Sequence, residues 1–374
     1  MRRINSYRNA LLLVLALPGC AARAPVTPPQ PTPAAPTQPT PPAPTAPAAP
    51  ASPLAGVDVF GTRAFTAAQV RAVHGADLDS IASAFAAGRI DEEVIARYRN
   101  VVTELRSRGD FAALDLSVVT YFDRPQPTLY ITVDVVERAD SARRMAFGAP
   151  PADTVPDPAG LVSAFVEYDG RAMTLLQQGQ LAGPEPPCPV LHCAPGFHHE
   201  TLRAETERFV REVPPRLDAI ARVLHRDADP ARRAAAAFLL GYADDPQRVA
   251  DALAGALGDP ESGVRNNALR VLVMLANREP PVAIPLAPVI TALHFPATTD
   301  RNKAAYVLLG LAKRPGHRRA ILEDAGPVLL DMLALEQPNN RDPAHAILRE
   351  LSGLDHPAED LAAWRAWWRA ALER

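Results

Sequence analysis

The sequence predicts two folded parts, a small α+β module followed by an all-α array of stacked helical hairpins. The first prediction comes from a succession of strand, helix, helix, strand and strand signals over residues 54–140. The second comes from internal repetition, because ARRAAAAFLLGYA from Ala231 aligns without gaps on VRNNALRVLVMLA from Val264 and on DRNKAAYVLLGLA from Asp300. A chain of 374 residues is long enough for both parts.

The chain begins with a short basic segment and an apolar stretch, Ala10 to Leu17, that ends in Leu-Pro-Gly-Cys-Ala around Cys20. Eight apolar residues are too few to span a bilayer, but they suit the core of a signal peptide. The pattern resembles the lipobox of bacterial lipoprotein precursors. The resemblance implies removal of residues 1–19 and lipidation of Cys20 with three acyl chains, which anchor a protein firmly. An uncleaved signal anchor and an ordinary secretory signal are the alternatives.

Residues 20–53 hold the lipidated cysteine and a linker. Ala24 to Pro53 consists almost wholly of Pro, Ala, Thr and Gln, with thirteen prolines in thirty residues. Such a segment favours extended polyproline II at roughly 3.1 Å per residue, which gives a semi-rigid spacer of up to ~90 Å. The folded parts are therefore expected to work at a distance from the membrane.

Composition restricts the partners. The net charge of −3 and the pI of about 6.3 argue against nucleic acid. Cys20 is accounted for by lipidation, and Cys188 and Cys193 are left to pair in an oxidising periplasm.

The module at residues 54–140 opens with a predicted strand, Val57 to Phe60. Thr66 and Gln69 have the spacing of a capping box for a helix through Val73. Asp91 can cap a second helix, whose apolar residues recur at helical spacing up to Leu105, and Gly109 suits a left-handed C-terminus. Two predicted strands follow, Leu114 to Tyr121 and Thr128 to Val136.

This order of elements, with VFGTRAFTAAQV, LRSRGDFAALDLSV and LYITVDVVE, resembles a POTRA domain. The resemblance implies binding of an extended polypeptide along a sheet edge, and with it an accessory role in outer-membrane protein assembly or secretion. No barrel sequence follows the module, and an unrelated α+β sandwich with a covered edge is the alternative.

The connecting region, residues 141–213, contains a cluster with possible metal chemistry. Cys188, His192, Cys193 and His198 offer two thiolates and two imidazoles, which is a possible tetrahedral zinc set and the basis of a metal-dependent enzyme. Structural zinc sites usually draw on two separated pairs, whereas these ligands lie within twelve residues. A disulfide between Cys188 and Cys193 is the preferred interpretation, and free thiols are a third. Helices are expected at Leu161 to Leu181 and Thr201 to Val213.

Residues 214–374 carry the repeated hairpins. Each unit has a helix that ends in leucine, a turn with Asp and Pro, and a second helix that opens with arginine. The equivalent leucines are Leu224, Leu257, Leu293 and Leu333, and the arginines aligned by the repeat are Arg232, Arg265 and Arg301. Because one hairpin cannot bury its apolar face alone, stacking into a curved solenoid is expected.

The repeats resemble HEAT repeats, most closely in DPESGVRNNALRVL. The resemblance implies a concave surface that binds a protein or peptide. Two roles are open for the aligned arginines, Arg232, Arg265 and Arg301. They either line that binding surface or make a repeated bond between successive hairpins, and the repeated bond is the favoured interpretation. The closing helix carries Trp364, Trp367 and Trp368 on one face, either as a cap over the last hairpin or as an aromatic binding platform.

These expectations combine into a non-enzymatic, lipid-anchored protein of the bacterial cell envelope. Its expected location is the outer membrane, facing the periplasm, because Ala21 rather than Asp follows the lipidated cysteine. No cofactor is expected, and the expected partner is an envelope protein or peptide.

Overall fold

The computed structural model describes residues 10–12, 52–121, 126–181 and 186–373. Cys20 and the proline-rich linker through Ala51 lie outside the described residues. The N-terminal part contains four strands and two long helices: β1 (Ala10–Leu12), β2 (Leu54–Phe60), α1 (Ala67–Ala86), α2 (Glu92–Arg106), β3 (Phe111–Tyr121) and β4 (Thr128–Glu137). The predicted order of strand, helix, helix, strand and strand over the module is therefore confirmed.

The strands form one mixed sheet in the order β1-β3-β4-β2. Strand β2 runs parallel to β4, with Val57 opposite Ile131, whereas β3 and β4 form an antiparallel pair. At the far edge, Ala10–Leu12 pairs antiparallel with the end of β3, with Ala10 opposite Tyr121. This strand belongs to the segment expected to form the signal-peptide core.

Helices α1 and α2 cover one face of the sheet. Thr66 and Gln69 form the predicted capping box, but the helix continues past Val73 to Ala86 because Leu78 and Ile81 are buried against the sheet. Asp91 caps α2 by accepting from the amide of Val94. The prediction of a left-handed Gly109 is wrong, since α2 ends at Arg106 and its C-cap is right-handed.

The rest of the described chain is a run of helices. A short helix, α3 (Ser141–Arg144), precedes a loop and the longer α4 (Leu161–Gln177) and α5 (Arg203–Glu212), which end before the predicted boundaries at Leu181 and Val213. The hairpins follow as α6 (Leu217–Arg226), α7 (Pro230–Leu239), α8 (Pro246–Gly255), α9 (Ser262–Ala276), α10 (Leu286–Ala292), α11 (Thr298–Ala312), α12 (Arg318–Ala320), α13 (Gly326–Leu333), α14 (Pro338–Ser352) and α15 (Leu361–Leu372). In the part of the chain that the structure describes, none of these helices is long and apolar enough to cross a membrane.

The hairpins stack into a HEAT-like solenoid with two layers. The second helices of successive hairpins, α7, α9, α11 and α14, pack closely on one another, and α4 continues this layer at its N-terminal end. The first helices touch their counterparts much less. The stack therefore curves with the second helices on its inner side. The four predicted leucines are all buried between the layers.

The second face of the sheet packs against the N-terminal ends of the inner helices. Asp58 on β2 accepts hydrogen bonds from the amides of Glu336 and Gln337, just before α14. Gln337 donates from its side chain to Thr132 on β4. The module therefore packs directly on the solenoid, and its sheet is covered by helices on both faces.

Candidate functional site

A row of buried arginines connects the inner helices. Arg233 on α7, Arg265 on α9 and Arg301 on α11 each donate from Nη1 to the two carbonyls that lie six and five residues earlier in the chain, at N···O distances of 2.7 to 3.1 Å. Each guanidinium thereby closes the turn that leads into its own helix. We call these three residues the arginine row.

Each arginine of the row also binds a carboxylate, which for Arg233 and Arg265 comes from the next hairpin. Arg233 makes a bidentate pair with Asp259 at 2.8 and 2.9 Å, and Arg265 binds Asp300 at 2.7 Å. Arg301 pairs instead with Asp134 on strand β4. The row therefore continues from the solenoid into the sheet.

Burial and aromatic rings reinforce the last two positions of the row. Arg301 and Asp134 are both almost fully buried, with side-chain exposures of 0% and 1%. The Arg301 guanidinium lies 4.0 Å from the ring centre of Phe60, and that of Arg265 lies 4.3 Å from the ring centre of Phe147. Such cation–π contacts add most where water is excluded.

The favoured expectation of a repeated bond holds for Arg265 and Arg301 and is wrong only for Arg232. Arg265 and Arg301 lie in the interior and do not line an open binding surface. The third member of the row is Arg233 and not Arg232, which instead binds Asp227 at 3.0 Å and the carbonyl of Val155 at 2.7 Å. The structural equivalent of Arg265 in α7 is one residue later than the sequence alignment places it. Residues 232 and 233 are both arginine, so the sequence alone could not reveal this shift.

The loop between α4 and α5 covers the inner side of α7. A disulfide joins Cys188 to Cys193, whose Cα atoms lie 5.7 Å apart. Within the loop, the amide of His192 donates to the carbonyl of Gly241 at 3.0 Å, and its ring stacks on Phe238 at 4.9 Å. We call residues 186–199 the disulfide loop.

The side chains of the alternative zinc site are engaged in other contacts. Both sulfurs are bonded to each other, so neither thiolate is available to a metal ion. His192 is held against Phe238, and His198 contacts the edge of Phe197. Burial lowers the pKa of His192 to about 4, with the positive charge of Arg270 as a secondary cause. Within the described ranges no cluster of three or more His, Cys, Asp or Glu side chains has metal-binding geometry.

Beyond the disulfide loop, the inner side of the solenoid is open at α9 and α11. The residues five positions after each arginine of the row face this side, namely Phe238, Arg270 and Tyr306. Phe238 lies under His192, and Tyr306 interacts electrostatically with Tyr121 at the end of strand β3. We call the surface between His192 and Tyr121 the inner window and define it by four residues: Arg270, Met274, Lys303 and Tyr306.

The inner window carries two cations, Arg270 and Lys303. Burial by the surrounding helices lowers the pKa of Lys303 to about 7, with the neighbouring Arg270 adding to the shift. Arg270 is exposed to solvent, whereas Lys303 is only partly exposed. Arg270 donates to Asn266 at 3.0 Å. Neither residue forms an ion pair with any part of the chain that the structure describes, so both charges are available to a ligand.

The tryptophan face of α15 closes the C-terminal end. Trp364 is fully buried and donates from Nε1 to the carbonyl of Pro357 at 2.9 Å. Trp368 donates to the carbonyl of Leu322 at 2.9 Å, and Trp367 packs edge-on against Trp364. These contacts place the face against the last hairpin as a cap.

Comparison with known families agrees with the repeat architecture. Residues 217–292 match the family of HEAT repeats. Comparison with curated proteins gives no significant match, and neither does comparison with solved structures. The matched segment spans α6 to α10, which includes the hairpin whose sequence most resembles the repeat. HEAT repeats are typical of non-catalytic scaffolds that mediate protein–protein interaction.

Sequence reasoning did not single out Arg270 or Lys303. Arg270 lies in α9 and Lys303 in α11, beside the Ala, Leu and Val residues of the repeat. The equivalent positions of α7 hold Phe238 and Ala235, so a comparison of the aligned repeats at these two positions would have found them.

Proposed function

We propose that the protein is a non-enzymatic scaffold of the cell envelope that binds a partner protein on its inner window. The observation that carries the proposal is the open stretch of α9 and α11 between the disulfide loop and the end of β3. Met274 is 46% exposed there, which is unusual for a large apolar side chain on the concave side of a packed array. A concave apolar and charged surface of this kind is what a solenoid offers to a peptide or protein.

The envelope location is part of the same proposal and rests on two supports. The segment that ends in Cys20 resembles a lipobox, which implies an acyl anchor at the outer membrane and a polyproline spacer after it. The disulfide between Cys188 and Cys193 is chemistry that persists in an oxidising compartment such as the periplasm.

Site-specific crosslinking in native envelopes tests the scaffold function. A photoreactive amino acid at Met274 is expected to capture a protein, whereas the same group at Val73, 57% exposed on the opposite flank at α1, serves as the matched control. Equal capture at both positions, or capture at neither, would contradict the proposal. Loss of membrane association in a Cys20→Ser variant separately tests the anchor.

Strand addition at the edge of the sheet is a second candidate function. The specific observation is the pairing of Ala10–Leu12 with Val119 to Tyr121, which shows that this edge accepts an antiparallel strand. If residues 1–19 are cleaved, the edge loses this strand and is open to another chain. A photoreactive group at Tyr121, which lies opposite Ala10, would then capture the partner, and recovery of β-barrel proteins would favour a role in outer-membrane assembly.

A further inference from the structure

The two halves of the disulfide loop are attached to the solenoid in different ways. The second half, residues 191–197, is anchored by the body of the protein. Leu191 and Ala194 are buried in the core of the solenoid. The carbonyl of Pro195 accepts a hydrogen bond from the hydroxyl of Tyr168 on α4 at 2.8 Å. None of these contacts involves a cysteine, so they hold the second half whether or not the disulfide is present.

His192 fixes the same half of the loop to the end of α7. Its amide donates to the carbonyl of Gly241 at 3.0 Å, and its ring stacks on Phe238 at 4.9 Å. A Cβ at residue 241 would lie 3.0 Å from the carbonyl oxygen of His192, so the glycine is what permits this close approach. The contact between His192 and α7 is therefore independent of the disulfide as well.

The first half of the loop, residues 186–190, has far fewer attachments. Residues 186–189 are exposed, and Val190 is the one residue of this half that packs against the core. Within the described ranges, no hydrogen bond joins residues 186–190 to another segment of the chain. The disulfide is consequently the main tie between this half and the anchored residues after it.

The two sulfur atoms also differ in their surroundings. Cys188 is exposed, whereas Cys193 is partly buried and directly precedes the buried Ala194. In thiol–disulfide exchange a thiolate attacks one sulfur and the other sulfur leaves, and access helps to decide which sulfur is attacked. Exposed disulfides are the ones that exchange readily. Because the bond lies within a single loop and joins no two helices, its opening leaves the packed helices in place.

We propose that the Cys188–Cys193 disulfide is a thiol–disulfide exchange site and acts as a redox latch on the first half of the loop. The reductant is a protein with two neighbouring thiols. One of its thiolates attacks Sγ of Cys188, forms a mixed disulfide with it and expels Cys193 as a thiolate. This site goes beyond the scaffold function and does not depend on the scaffold's partner.

The second thiolate of the reductant completes the exchange. It attacks the reductant's own sulfur in the mixed disulfide, so that the reductant becomes a disulfide and Cys188 leaves as a thiolate. The two cysteines take up the two protons that the dithiol has lost. The chain has then gained two electrons and two protons, and residues 186–190 are released while residues 191–197 stay on the solenoid.

Reduced glutathione, a monothiol, tests the exchange on the folded full chain. The reaction is stopped with acid at short times, and the modified peptides are mapped by mass spectrometry. We expect glutathione on Cys188 in at least tenfold excess over Cys193, because the exposed sulfur is the one attacked. Equal amounts on both cysteines would overturn the proposal, and so would a pair that reacts only after a denaturant is added.

Spin labelling tests the release of the first half. Two full-length chains carry Cys20→Ser and a single remaining loop cysteine, through either Cys193→Ser or Cys188→Ser, so that both lack the disulfide. A nitroxide label on Cys188 is expected to give a mobile electron paramagnetic resonance spectrum, whereas the same label on Cys193 is expected to give an immobilised one. Each chain is the matched control of the other.

The remaining outcomes contradict the proposal. Two mobile labels would show that the whole loop, or the whole fold, depends on the disulfide. Two immobilised labels would show that the first half is held without it, and the disulfide would then be no latch. The unfolding temperature of both chains, measured in parallel, distinguishes a released loop from an unfolded protein.

Discussion

The pair between Arg301 and Asp134 makes the sheet and the solenoid depend on each other for stability. Replacing Asp134 with Ala leaves the Arg301 guanidinium buried without its counter-charge. Breaking a buried pair in this way costs about 3–5 kcal/mol. Arg301 keeps its bonds to the carbonyls of Phe295 and Pro296 and its contact with the ring of Phe60, so we expect the lower end, about 3 kcal/mol.

Urea denaturation measures the effect. Fluorescence of the three tryptophans, all on α15, reports on the end of the solenoid, and far-ultraviolet circular dichroism reports on both parts. Asp218→Ala is the matched control, because it removes a carboxylate from an exposed pair with Arg248 and should cost no more than about 1 kcal/mol. The double variant Asp134→Leu with Arg301→Met replaces the pair with apolar groups and should recover most of the loss.

The result that would refute the reasoning is a loss below about 1 kcal/mol for Asp134→Ala, equal to that of the exposed control. Separate transitions for the two probes in the original chain would also contradict it. If the Arg301–Asp134 pair couples the sheet to the solenoid, both should unfold in one transition in the original chain. Two separate unfolding transitions should appear only when the pair is removed.

Three further predictions address other features. The pKa of His192 is lowered from 6.5 to about 4, so its contribution to stability is complete above pH 6.5 and is lost as the pH falls toward 4. The free energy of unfolding, measured as a function of pH, should fall by up to about 3 kcal/mol over this range. The variant His192→Asn should not show this fall. Reducing the Cys188–Cys193 disulfide opens the short loop that it closes in the unfolded chain and so raises the entropy of the unfolded state. We expect a loss of about 2 kcal/mol, measured by thermal denaturation with and without reductant. Gly170 on α4 faces open space, so Gly170→Ala should raise the free energy of unfolding by roughly 0.5–1 kcal/mol. A Cβ added at Gly310 would lie 2.8 Å from Cβ of Ala276, so Gly310→Ala should lower it. Calorimetry of the two variants checks this difference in sign.

Local signals predicted much of the fold because they act within a few residues. The capping box at Thr66 and the cap at Asp91 formed as expected, since both depend on side chains that reach the next turn. The end of α1 was missed by more than three turns, because the residues after Val73 are held in a helix by burial of Leu78 and Ile81 under the sheet. That burial is a tertiary effect with no local signature.

The sequence by itself determined the repeated hairpins, the α+β order of the module and the spacing that lets two cysteines pair. Each of these follows from periodicity or proximity along the chain. Only the tertiary structure decided that the arginine row runs through Arg233 and ends on Asp134, and that Arg270 and Lys303 share one opening. Those contacts join residues far apart in sequence, and ionic bonds leave no periodic pattern from which a partner can be identified.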